Sequence, residues 1–449
     1  MLELKSLMRR FKRPKIFYGW WIVGNGFILQ LLASALFFNS TGAYASALHE
    51  AYGWSNTSLN LGFSLNRVES GILGPVQGWA IDKFGPSIMI RIGAVLLGGG
   101  LILFSQIDSL WQFYVAYSLL AIGAGLAGFM TLTVAVVNWF KAKRARAIGL
   151  MQTGFALGGM FAFLVVLSID NIGWSKTVLI AGIIVIIIGQ IVAGFIYHRP
   201  EDRGDTVDGE IDDTYKATDE NQEFTSSIDD SGDFTTREAL RTPTFWFLSL
   251  GHAASVLIVG TVIANLYLHA RDDLGYSYWE VGVISFIISV SQVFGLIGGG
   301  YIGDKVNKRG LLVVCMLAHV LGLFLLAFAG ERSLISFIIL LAFAIIHGLA
   351  WGVRPAVTQA LRADYFGRTN FGKIMGFSSM IIMIGLTLGP LIAGLISDWR
   401  GDYKIAFTVI ALIALLGSIF FWLSKPPTKK VPLTTYPTTG IFLVRIFII

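Results

Sequence analysis

Two arginines stand in stretches apolar enough to lie in a membrane, where a charge is rarely tolerated. Arg67 lies with Glu69 inside the apolar, glycine-rich stretch NLGFSLNRVESGILGPVQGWAIDKFG, residues 60–85, and Arg354 lies in HGLAWGVRPAV, residues 347–357. A charge at mid-bilayer costs several kcal/mol unless the protein or a ligand answers it, so each arginine marks a candidate binding site. Guanidinium groups offer planar, bidentate hydrogen bonds that match a carboxylate. On a helix, Asn60, Ser64, Arg67, Gly71, Gly74 and Gly78 follow three- and four-residue steps and form one small, polar stripe. His347 and Arg354 are seven residues apart and share a face, and Pro355 removes a backbone hydrogen bond beside them. The expected chemistry is capture of a small organic anion between Arg67 and Arg354, with His347, Asn25 and Ser64 lining the site. Glu69 and His347 are the groups placed to carry a coupled proton. Two plainer readings compete: Arg67 neutralised by Glu69 or another buried carboxylate as a packing pair, and Arg354 reaching back to the membrane surface. His252 and His319 read as satisfied core residues, and Gln30, Thr261 and Asn265 as cavity-lining groups or helix-to-helix hydrogen bonds.

The elements that must position these residues are membrane helices. The 449-residue chain is 55% hydrophobic and 14% charged, carries 51 glycines, and has a mean hydropathy of +0.69. That excludes a soluble domain and a nucleic-acid-binding protein. The single Cys315 leaves no disulfide framework, and His-x-x-x-His, Cys-x-x-Cys and Gly-x-Ser-x-Gly are missing from the sequence, so neither a metal site, a cofactor nor an enzyme is expected. Apolar runs long enough to cross a bilayer fall near 18–41, 57–80, 88–107, 110–137, 145–168, 175–197, 243–268, 280–302, 310–329, 333–361, 373–396 and 403–424. The first follows a basic stretch directly and reads as a signal anchor.

The positive-inside rule orients them. With the N-terminus inside, cytoplasmic segments hold 27 Lys and Arg and external loops hold five, so both termini are expected in the cytoplasm. The expected organisation is a basic N-terminus 1–17, a six-helix bundle 18–197, a linker 198–242, a second bundle 243–424 and a tail 425–449. Residues 201–238 hold fourteen acids against three bases and read as a solvated, disordered spacer.

The halves repeat one another. GWAIDKFGPS answers GGYIGDKVNKRG at an offset of 222, WFKAKRARAIG answers YFGRTNFGKIMG, and DNIGWSK answers DWRGDYK at an offset of 228. Parallel halves around a mid-membrane site are the layout of a secondary transporter. A carboxylate at an equivalent helix end of each half can hold bases of the other half in one state and release them in the next.

Over nearly its whole length the chain resembles the major facilitator superfamily. The loop signature of that family, Gly-x-x-x-Asp-Arg/Lys-x-Gly followed by two bases, is matched by Gly78, Asp82, Lys83 and Gly85, with Pro86 and Ser87 replacing the basic pair. The second copy keeps Gly300, Asp304, Lys305, Lys308 and Arg309, with Asn307 for the glycine. FYGWWIV, NWFKAKRARAIG and DYFGRTNFGKIMG resemble the monocarboxylate and oxalate/formate branch. The resemblance implies an all-α fold of twelve transmembrane helices in two pseudo-symmetric bundles, functioning as a monomer in the cell membrane, the inner one in a bacterium. It also implies small organic anions as substrates, moved with a proton or by exchange. That branch commonly has a cation in its eighth helix, and its oxalate/formate members another in the eleventh, yet 280–302 and 374–396 contain no basic residue. A drug or metabolite antiporter of the same fold is the alternative; its usual Gly-Pro pair is missing from TGFALGGMFAF and occurs as Gly389-Pro390. A non-transporting sensor is the remaining reading.

Overall fold

The computed structural model describes residues 16–55, 58–59, 61–62, 71–209 and 233–429. Asn60, Ser64, Arg67 and Glu69 lie outside the described residues, and so does the tail from 430 onward. Among the described residues twelve helices carry the fold: α1 (Gly19–Tyr52), α2 (described over Gly74–Phe84), α3 (Pro86–Phe104), α4 (Leu110–Trp139), α5 (Arg144–Ile172), α6 (Trp174–Gly194), α7 (Pro243–Arg271), α8 (Tyr278–Lys305), α9 (Lys308–Ala327), α10 (Leu334–Phe366), α11 (Phe371–Arg400) and α12 (Lys404–Leu423). All but α2 are long and apolar enough over their described residues to cross a membrane. Their outward faces stay apolar, as Ile183, Ile187 and Ile191 show at four-residue steps along α6. Hydrocarbon, not water, suits such a surface.

Equivalent helices pack in equivalent ways. Within the first half α1 packs on α5 and α3 on α4 and α6; within the second, α7 packs on α11 and α9 on α10 and α12. Small residues let the backbones meet. A Cβ on Gly154 or Gly158 of α5 would sit 2.2 or 2.5 Å from the carbonyls of Phe27 and Leu31, and one on Gly385 or Gly389 of α11 would sit 2.4 Å from those of Ala253 and Leu257. The sequence repeat is therefore a packing repeat.

The apolar runs underestimate several helices. α1 runs eleven residues beyond its expected end, through a π-helical turn at Ser34–Phe38, and stops where Gly53 turns left-handed at φ 69°. Polar residues Ser40 and Thr41 ended the hydropathy signal, and the helix resumes at Thr41 after a turn at Asn39 and Ser40. α4 breaks at Gly128, whose extended backbone (φ −90°, ψ −150°) separates Leu110–Ala127 from Phe129–Trp139. The expectation of an unstructured 201–238 fails at both ends of that segment. Pro200–Arg203 and Val207–Gly209 are 3-10 turns, and Thr236–Leu240 is a helix opened by a capping box between Thr235 and Glu238. Local capping and tertiary partners order residues whose composition alone is that of a solvated chain.

The two halves meet at the end of the bundle that carries the linker. There one apolar cluster is shared, with Ile81, Met89, Met130 and Ile148 of the first half against Ala356, Ala363, Phe371 and Met375 of the second. Toward the far end, Phe37, Phe104, Phe113 and Val178 form a cluster belonging to the first half alone.

Candidate functional site

The site is built in two layers. The lower layer is the closed gate at the linker end. Helices α5 and α11 start with free backbone N–H groups and no capping side chain of their own, since neither Lys143 nor Asn370 caps. The other half supplies the cap. The carboxylate of Asp82, at the end of α2, accepts from the N–H groups of Gly372 and Lys373 at 2.9 Å each, and that of Asp304, at the end of α8, accepts from those of Ala145 and Arg146 at 2.9 and 3.2 Å. Each pair is the second and third residue of its helix, where the positive end of the helix dipole favours a carboxylate.

The expected partners were bases of the opposite half; Asp304 has one in Arg146, and main-chain amides of that half hold both carboxylates. Asp82 is held by main-chain amides, and Arg146 Nε stands 3.8 Å from Asp304 as an addition to the amide pair. Lys83 lies over the rings of Trp79 and Phe84, and Lys305 is exposed. The glycines of the motif have a steric role. A Cβ on Gly78 would lie 2.1 Å from the carbonyl oxygen of Gly372, and one on Gly300 would lie 2.8 Å from Cα of Arg146. Gly376 meets the Gly74 carbonyl and Gly149 that of Leu296 in the same two-fold pattern. Gly85 adopts φ 81° against the His198 ring, whose imidazole is held below its ordinary range by burial and by Arg199. Gly78→Val should prevent α2 and α11 from closing; since overpacking costs about 1–3 kcal/mol, uptake is expected to fall about tenfold with normal membrane insertion. Unchanged uptake kinetics would refute that contact.

Ion pairs flank the gate. Arg144 Nη1 reaches Asp364 of α10 at 2.9 Å, and Lys308 takes the other oxygen of that carboxylate at 2.9 Å. Arg368 donates to Glu201 at 3.1 Å and to the Asn138 carbonyl at 3.2 Å.

The upper layer is polar and buried within the second half. Arg354, 2% exposed, donates from Nη1 to Ser255 Oγ of α7 at 2.7 Å, and its Nε is buried without a partner. It does not reach back to the surface: it lies twelve residues before the end of α10, about 18 Å along the axis, inside a helix that continues through Pro355. His252 of α7, whose carbonyl accepts from Ser255, also has a partnerless Nδ1. A second guanidinium lies nearer the gate. Arg362 is fully buried, donating to Gln359 Oε1 and, at 2.8 Å, to Ser378 Oγ of α11, which pairs with Ser249 of α7 at 2.9 Å. Among the described residues, neither arginine has a carboxylate within ion-pair distance.

Arg362 stands just past the apolar run 333–361, so hydropathy alone assigns it to the α10–α11 turn. The available signal was periodicity: Arg354, Thr358 and Arg362 lie at four-residue steps on one face. Other candidates are placed differently. His347 meets His319 of α9, the two Nδ1 atoms 3.1 Å apart and both residues fully buried. Asn25 is half-buried and donates to the carbonyl of Trp21 in its own helix. Gln30 and Asn265 are buried, the latter bonded to the Thr261 carbonyl. Among the described residues no group of His, Cys, Asp and Glu could hold a metal ion.

The chain and its fold have known counterparts. The profile of the Major Facilitator Superfamily matches residues 26–333 and 248–447. The chain is 26% identical over 439 residues to the oxalate:formate antiporter of Oxalobacter formigenes, covering 92% of this chain and 96% of that protein. It is 23% identical over 423 residues to monocarboxylate transporter 13 of Rattus norvegicus (92% and 90% covered) and 25% over 393 residues to the glucose-6-phosphate exchanger SLC37A2 of Xenopus tropicalis (81% and 77%). Among solved structures, the Major Facilitator Superfamily transporter FucP in the outward conformation superposes with a TM-score of 0.70 at 16% identity, covering 92% of this chain and all of that one.

Proposed function

Because the chain belongs to the Major Facilitator Superfamily, and is therefore a multi-pass membrane carrier rather than an enzyme, we propose that it moves small organic anions by alternating access. The observation that carries this reading is Arg354: a buried guanidinium without a carboxylate among the described residues, one nitrogen unpartnered, in the half-bundle that α7, α10 and α11 form. A desolvated cation held ready by a neutral hydroxyl is stabilised when an anion arrives, and a neutral or cationic solute supplies no such gain. Arg67 is its proposed counterpart from the first half, with Ser64 and Asn25 on the same path. The names of the relatives, an oxalate:formate antiporter and a monocarboxylate transporter among them, agree with an anionic substrate.

The positive-inside count puts the linker end and both termini in the cytoplasm. With the linker end closed, the site then faces outward, and Asp82 and Asp304 act as the inner latch. Proton coupling is proposed through Glu69 or His347, protonated as the anion loads. Obligatory exchange is the second reading, favoured by the antiporter and exchanger among the relatives.

Uptake into proteoliposomes of labelled monocarboxylates, dicarboxylates, neutral sugars and organic cations tests substrate class. Imposing a proton gradient, or loading a counter-anion inside, separates the two coupling modes. Saturable transport is expected for anions alone, accelerated by an inward proton gradient, and Glu69→Gln or His347→Gln should remove the acceleration. Transport of a sugar or cation with which anions do not compete would refute the reading. Dependence on internal anion with indifference to pH would establish exchange.

A further inference from the structure

The acidic linker makes contacts at the same two turns, beside those of Asp82 and Asp304. Asp208, held in the left-handed region at φ 59°, accepts through Oδ2 from the N–H groups of Lys141 at 3.1 Å and Ala142 at 2.8 Å. Asp233 accepts through Oδ2 from the N–H groups of Arg368 and Thr369, at 2.9 Å each, and from the Thr369 hydroxyl at 2.7 Å. Lys141 and Ala142 precede α5 as Arg368 and Thr369 precede α11; the numbers differ by 227 in both pairs. The same difference separates Ala145 and Arg146 from Gly372 and Lys373, the amides that receive the gate aspartates. Each turn is therefore gripped twice in the same register, four residues apart, by a linker aspartate and by an aspartate of the opposite half.

Further contacts fasten both linker ends. Phe234 N–H donates to the Phe366 carbonyl at 3.0 Å, and Asn370 donates to the Phe234 carbonyl at 3.3 Å. Lys429 donates to the Asp233 carbonyl at 2.7 Å. At the other end Glu201 crosses between halves to Arg368, and the Arg203 guanidinium lies 3.8 Å from the ring centre of Tyr18. Backbone amides that open a helix are strong donors, and a carboxylate that organises two of them fixes the direction of the next turn.

We propose that the two ends of this linker are paired braces that set the gate: Asp208 and Asp233 hold the turns before α5 and α11 so that Asp304 and Asp82 find their amides aligned. Whatever draws either end off its turn shifts the carrier toward opening at the linker end. Asp208 and Asp233 are positioning residues that reach no substrate. The device is a second level of control, separate from the anion site.

The test uses the full chain in lipid nanodiscs on a Cys315→Ala background, with spin labels at Phe84→Cys and Val306→Cys. These are equivalent, half-exposed positions of the two halves at the linker end. Pulsed distance measurements without substrate report the open fraction, and melting temperature reports the fold. Asp208→Ala with Asp233→Ala should raise the open population about tenfold, each single change giving an intermediate rise, with the melting temperature within a few degrees of the parent. Asp208→Asn with Asp233→Asn keeps one acceptor oxygen at each site and should fall between parent and double alanine. A distance distribution identical to the parent in the alanine variant overturns the proposal. So does a single broad distribution with collapsed melting, which would make the aspartates general stabilisers; should the alanine variant fail to insert, an unchanged asparagine variant overturns it equally.

Discussion

Arg354→Ala is expected to reduce saturable anion uptake by at least about a hundredfold while the protein still inserts and melts near the parent temperature. The size follows from the environment: a charge-assisted pair with a desolvated guanidinium contributes several kcal/mol to an anion, and each 1.4 kcal/mol is a factor of ten in affinity. Stability should respond differently. Removing a buried cation that has no carboxylate beside it among the described residues relieves a desolvation cost, and the loss is the hydrogen bond to Ser255, about 1–3 kcal/mol. Uptake and stability should therefore separate. Arg354→Lys retains the charge without the planar fork and should recover only part of the uptake. Radiolabelled uptake at several anion concentrations, beside a melting curve, checks both. Near-normal uptake in Arg354→Ala would return Arg354 to a packing role and move the anion site elsewhere.

The second large effect is expected from the gate. In Asp82→Ala with Asp304→Ala, four hydrogen bonds from helix-opening amides are lost from the closed linker end. At about 1.5 kcal/mol for each hydrogen bond to a charged group, even half of that sum shifts a two-state equilibrium by about a hundredfold or more toward opening at that end. A cysteine at Met375, 2% exposed within the cluster shared by both halves, reports the change. On a Cys315→Ala background its maleimide labelling should accelerate about a hundredfold, while anion affinity changes by less than about tenfold. Collapsed binding with unchanged labelling would assign the aspartates to the anion site and refute their part in the gate.

Membership of the family and the anion reading rest on different residues, and they were legible to different degrees. Gly78, Asp82, Gly300 and Asp304 were readable because their chemistry repeats at one offset, and their positions at helix ends follow from helical length. What they grip was not readable: a main-chain amide has no signature in sequence, and the expectation of basic partners came from side chains alone. Arg354 was conspicuous as a charge in an apolar run, whereas Arg362 was hidden by standing four residues from the end of its helix. His347 was placed beside Arg354 by helical spacing, and only the packing of α9 on α10 set it against His319. The linker was misread at its ends because composition describes solvation, and the order of 200–209 and 233–242 comes from local capping and from amides elsewhere in the chain.

Taken by itself, the amino-acid sequence determined the solvent, the number and order of helices, the two-fold repeat and the presence of guanidinium groups in an apolar interior. These properties are local: hydrophobicity, spacing and charge act through the residue that carries them and its neighbours within a turn or two. Tertiary structure alone decided which end of the bundle is shut, that Asp82 and Asp304 cap helices of the opposite half, and that Asp208 and Asp233 grip the turns before those helices. The physical reason is that a helix terminus offers its N–H groups to whatever acceptor the packing brings near. Which acceptor arrives is set by the approach of whole helices, an approach that glycines such as Gly78 and Gly300 permit and that no single segment specifies.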